Sequence, residues 1–64
     1  MNKNYKINTL QKSIINYIRF NEGVSLDSII EHLSPVTEDA IEKALSELVD
    51  NGYLIIDNGY IISI

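Results

Sequence analysis

Apolar positions along this chain fall into three helical stripes followed by two short β-branched runs. Leu10, Ile14, Tyr17 and Ile18 repeat at the spacing of one buried helical face, which predicts a first helix starting after Asn8 or Thr9. Asn8 and Gln11 stand at capping-box spacing, where each side chain satisfies the other's backbone N–H. Ile15 and Phe20 lie off the stripe. Asn21-Glu22-Gly23 closes the helix, with Gly23 suited to a left-handed C-terminal position. Val24 followed by Ser25 then opens a second helix, Ser25 as N-cap and Val24 as a staple onto Ile29. Leu26, Ile29, Ile30 and Leu33 form its inward face, while Asp27, Ser28, Glu31 and His32 point out. Proline disfavours helical geometry at the residue before it, so Ser34-Pro35 is a stop.

The same device repeats at Val36-Thr37. Thr37 caps a third helix whose stripe is Ile41, Ala44, Leu45, Leu48 and Val49, and Asn51-Gly52 ends it. Two apolar runs follow, Tyr53–Ile56 and Tyr60–Ile64, around Asp57-Asn58-Gly59. Asn-Gly between such runs predicts a two-residue type I′ hairpin turn, because both central residues need positive φ. That turn sets Ile56 opposite Ile61 and Leu54 opposite Ser63 on one face. Tyr53, Ile55, Tyr60, Ile62 and Ile64 occupy the other face and form an apolar patch. Residues 1–7 read as a flexible polar arm, with Tyr5 and Ile7 able to pack down, and residues 8–64 as one domain.

Charge changes the picture at the third helix. Its outward positions are Glu38, Asp39, Glu42, Lys43, Ser46, Glu47 and Asp50, five carboxylates against one ammonium. Residues 1–20 carry Lys3, Lys6, Lys12 and Arg19 and no acid, whereas residues 21–64 hold all nine acids and a single base, Lys43. The net charge is −4, and its separation along the chain makes the molecule strongly dipolar. With 64 residues and no cysteine, the chain has a thin core and neither disulfides nor thiolate metal sites to staple it. No apolar run approaches the ~20 residues of a membrane-spanning helix, and no signal peptide is apparent, so a cytoplasmic protein is expected.

Three helices, a short turn between the second and third, and a hairpin after the third resemble the winged helix-turn-helix superfamily. The residues that carry the resemblance are Val24-Ser25-Leu26 with Ile29, Ile30 and Leu33. Then come Thr37 with Ile41, Ala44, Leu45, Leu48 and Val49, and finally Asn51-Gly52-Tyr53-Leu54-Ile55. The resemblance implies a small α+β domain with a C-terminal β-hairpin wing, a short first strand at Val24, and a last strand lying between that strand and its hairpin mate. It also implies DNA binding through the third helix and wing in most relatives, and protein interaction in a minority.

The residues at those positions favour the minority use. The exposed third-helix face is acidic, the wing tip is Asp57-Asn58-Gly59 without a base, and like charges facing each other can cost several kcal/mol. The expectation is a non-enzymatic protein acting in transcription regulation or nucleic-acid metabolism through protein contacts. Its acidic helix face (Glu38, Asp39, Glu42, Glu47, Asp50) would meet a basic protein partner, and its hairpin patch (Tyr53, Ile55, Tyr60, Ile62, Ile64) would support a homodimer. One alternative is a dimeric DNA-binding regulator contacting phosphates through Lys3, Lys6, Lys12, Arg19 and Lys43; others are an acidic DNA mimic and a structural subunit. His32 has no second histidine or cysteine beside it, and no serine has a base and orienter, so no cofactor, metal, catalysis or small-molecule substrate is expected.

Overall fold

A computed structural model describes residues 5–64. Helix α1 spans Thr9–Asn21, strand β1 Val24–Ser25, helix α2 Leu26–His32, helix α3 Glu38–Asp50, strand β2 Leu54–Asp57 and strand β3 Tyr60–Ser63. The result is a small α+β fold of three helices and one three-stranded antiparallel sheet, ordered β1-β3-β2.

Each helix starts where its cap residue stands. Asn8 accepts from the Gln11 N–H at 2.8 Å while Gln11 accepts from the Asn8 N–H at 3.1 Å, the reciprocal box expected at the head of α1. Ser25 and Thr37 accept from the N–H groups of Ser28 and Ala40. At the far end of α1 the left-handed residue is Glu22, with φ 56°, one position earlier than expected; Gly23 follows at φ 111°. The glycine is still needed because this backbone conformation is one that side chains rarely adopt; space is not the reason, since a Cβ would meet Ile62 at an ordinary 3.5 Å.

The hairpin follows the predicted register, Leu54 opposite Ser63 and Ile56 opposite Ile61. Asn58 and Gly59 both take positive φ, at 50° and 81°, as the type I′ turn requires. Val24 pairs with Ile61, so β3 is central and β2 is an open edge.

Ile14, Ile18, Ile29, Ile41, Leu48 and Leu54 are fully buried and form the middle of the core. Two residues depart from the α1 pattern. Ile15, placed off the stripe, is buried because Ile7 of the arm and Tyr53 close around the hollow it lines. Gln11 is also fully buried, although it is polar. Helix α2 buries only Ile29 completely; with seven residues it lies at the margin, and Leu26, Ile30 and Leu33 are half-covered. Two of its outward residues have partners. The Ser28 hydroxyl lies 2.7 Å from that of Tyr17, and His32 stacks on the Tyr17 ring at 3.9 Å.

Leu48→Ala should cost about 2–5 kcal/mol through lost burial and the cavity left behind. A core this small supplies little more than that, so urea denaturation followed by circular dichroism should find the variant largely unfolded before denaturant is added.

Candidate functional site

A groove of about 420 Å³ lies between α3, the start of α2 and the tip of the hairpin. Leu26, Leu45, Val49, Ile56 and Ile61 supply its apolar lining, and Glu42, Ser46, Asp50 and Gly59 complete it. The sequence builds it simply. Glu42, Ser46 and Asp50 follow each other at i, i+4 and i+8, one exposed row of α3, with Leu45 and Val49 in the adjacent row. Leu45 and Ile61 are buried and make the floor, while Glu42 and Asp50 are exposed at the rim. Across from them the hairpin tip overhangs the helix. Ile56 shares a sheet face with Leu54, yet it is 62% exposed and lines the groove opposite Leu45 and Val49. Among the described residues no lysine or arginine lines the groove.

The five acids of α3 do not share one environment. Glu38, Asp39, Glu42 and Asp50 are exposed, whereas Glu47 is half-buried and turned toward α1. Its Oε2 accepts from the Tyr5 hydroxyl at 2.9 Å and from Gln11 Nε2 at 3.2 Å. Gln11 Nε2 also donates to the Tyr5 oxygen and reaches the Ala44 carbonyl at 3.5 Å. Glu47 is thus engaged within the chain. Lys43 lies on the same side, lining a separate hollow with Asn8, Leu10, Ala40, Ala44 and Glu47, so it does not neutralise the groove.

Lys3 lies outside the described residues. Lys6, Lys12 and Arg19 are exposed, and the last two line a basic hollow of about 200 Å³ with Ile7, Ile15, Asn16 and Tyr53. Arg19 Nε donates to the Ser63 hydroxyl at 3.2 Å, tying α1 to the end of β3. Of the hairpin patch, Ile55 is 48%, Tyr60 57% and Ile64 61% exposed. Ile62 is half-buried, and Tyr53 packs against Tyr5 with ring centroids 6.1 Å apart. The patch is therefore narrower than the sequence pattern suggests, because the arm covers one end of it. Sequence reasoning missed Ile56, Leu26 and Gly59 as part of a surface. The signal open to it was the row Glu42-Ser46-Asp50 flanked by Leu45 and Val49; the overhang that turns this row into a groove is a tertiary effect.

Among the described residues no group of three or more His, Asp or Glu is placed to hold a metal ion, and no helix is long and apolar enough to cross a membrane. No family model, curated protein or solved structure matches the chain.

Desolvation raises the pKa of the Tyr5 phenol above its ordinary value; the bond from Gln11 works the other way, and the Glu47 carboxylate adds to the rise. The folded state therefore holds the phenol proton more tightly than the unfolded chain does. This contribution to stability is complete below the ordinary value of 10.0 and is lost as pH rises through the folded value. Urea midpoints measured at rising alkaline pH should fall more steeply for the wild type than for Tyr5→Phe.

Proposed function

We propose that this chain is a winged helix-turn-helix domain turned to protein recognition, a non-enzymatic interaction module of transcription or nucleic-acid metabolism. The arrangement α1-β1-α2-α3-β2-β3, with β3 between β1 and β2, agrees with the topology that the resemblance implies. The observation that carries the functional reading is the lining of the groove between α3 and the hairpin: five apolar side chains, two carboxylates and no base.

Duplex DNA presents about one negative charge per 1.7 Å of its axis, and cationic contacts to those phosphates supply most non-specific affinity. A groove rimmed by Glu42 and Asp50, on a helix that also exposes Glu38 and Asp39, opposes that approach. The same groove suits a protein segment that brings an apolar side chain to Leu45, Val49 and Ile61 and cationic groups to the rim. Such an arrangement gives affinity through burial and selectivity through charge. The exposed residues of the hairpin, Ile55, Tyr60 and Ile64, extend the apolar surface beyond the groove.

Two measurements test this reading. A gel shift with duplex DNA should show no complex even at about 50 mM salt, where phosphate contacts are strongest. Immobilised wild-type chain should retain proteins from cell extract that Glu42→Lys/Asp50→Lys releases, and the retention should weaken as salt rises. Salt-sensitive binding of duplex DNA, abolished by substitutions between residues 38 and 50, would refute the reading.

A further inference from the structure

Helix α1 exposes a side chain with the opposite character to the groove. Phe20 is 89% exposed, the most exposed of the large apolar residues in the described chain. At about 100° per residue, Lys12, Asn16, Arg19 and Phe20 fall within one 100° sector of α1. Helix α1 carries no acid; Glu22, in the left-handed cap beyond it, lines a hollow together with Arg19. The chain therefore presents a protruding aromatic ring among cationic groups, and elsewhere an apolar hollow edged by carboxylates. The residues of the α1 surface and of the groove do not overlap. Phe20 is not covered by its own groove, as its exposure attests.

We infer that the occupant of the α3–hairpin groove is a second copy of this chain, which inserts Phe20 against Leu45, Val49, Ile56 and Ile61 and brings Lys12 and Arg19 toward Glu42 and Asp50. The inference rests on the reading of that groove as a protein-binding surface and names its partner. Charge complementarity supports this choice of occupant, because residues 1–20 hold four of the five bases and the groove holds none. Knob and hollow are different surfaces, so the contact is head-to-tail rather than two-fold, and each copy has a free groove at one end and a free Phe20 at the other. One phenylalanine buries about 150–250 Å². The contact consequently belongs to the small, transient class of interface, and assembly depends on concentration.

Sedimentation equilibrium of the whole chain at low salt decides the matter. The wild-type weight-average mass should climb above that of one chain as concentration rises through about 10 µM to 1 mM, and fall back when salt is added. Phe20→Ala alone and Glu42→Lys/Asp50→Lys alone should each stay monomeric. All three residues are exposed, and Asp50→Lys places a cation at a helix end that favours one, so neither variant should melt far below the wild type. An equimolar mixture should form a one-to-one complex that grows no further, because Phe20→Ala keeps its groove and the double variant keeps its Phe20.

A wild type that is monomeric throughout overturns the inference. If that wild type still retains extract proteins that Glu42→Lys/Asp50→Lys releases, the protein-binding reading stands and the occupant is a different protein. Dimers that persist in both variants also overturn it, since they place self-association on another surface such as the hairpin. A complex with duplex DNA lost on substitution of Glu42 and Asp50 overturns inference and reading together.

Discussion

The side-chain amide of Gln11 governs how this small fold is divided. It is wholly buried and links three segments: its oxygen holds the Asn8 N–H that starts α1, and its nitrogen meets Tyr5 of the arm and Glu47 and Ala44 of α3. A buried amide left without partners costs about 1–3 kcal/mol, so these contacts must be satisfied together. Satisfying them holds Glu47 against α1, on a helix whose rotation is set by the buried stripe Ile41, Ala44, Leu45 and Leu48. Glu47 faces α1, the row Glu42-Ser46-Asp50 lines the groove on the hairpin side, and Lys43 lines a different hollow. The acids of α3 are thereby divided between a polar contact with α1 and the lining of the groove.

The hairpin is the second determinant. It is anchored by Leu54 and Ile61 in the core and by β1, while its tip, residues 57–60, is exposed. A chain of 64 residues has few side chains with which to fill the space beneath such a tip. The unfilled space is the groove, and the residue exposed by it is Ile56 rather than a member of the outer face. The outer face is itself shortened, because Tyr5 reaches Tyr53 and the arm covers Ile15. Arm and hairpin are coupled in this way, and Tyr5 has two roles, as a partner of Gln11 and as a cover for Tyr53.

What was legible in the sequence was local. Caps at Asn8, Ser25 and Thr37, the stop at Ser34-Pro35 and the Asn58-Gly59 turn each depend on a few adjacent residues and a backbone rule, and they came out as read. Strand register followed from the turn. The α3 stripe was legible too, since its buried residues Ile41, Ala44, Leu45 and Leu48 repeat at helical spacing. The residues that could not be read depend on segments distant in the chain. Ile15 lies beside the predicted stripe and is buried only because Ile7 and Tyr53 arrive over it. Gln11 has the look of a cap residue and is one, but its burial needs Tyr5 and Glu47. Ser28 and His32 face outward on α2 and still meet Tyr17 on α1. For the site, the acidic row was visible and its partition was not, because helical periodicity does not specify which carboxylate turns toward a buried amide.

Helix chemistry separates the remaining acids further. Glu38 and Asp39 lie in the first turn of α3, where the partial positive charge of the helix end favours a carboxylate by about 0.3–1 kcal/mol, so their presence needs no partner. Asp50 closes the same helix, at the end where that field is reversed, and the last turn carries no base to compensate it. Its carboxylate costs local stability instead of adding to it. Glu42, in the middle of the helix, has no cap or dipole to explain it either. The helix-end field therefore favours the two acids of the first turn and disfavours Asp50, while Glu42, in mid-helix, is a good helix former that the field leaves untouched. Glu42 and Asp50 are therefore the positions on which the proposed recognition of a cationic group at an apolar hollow rests.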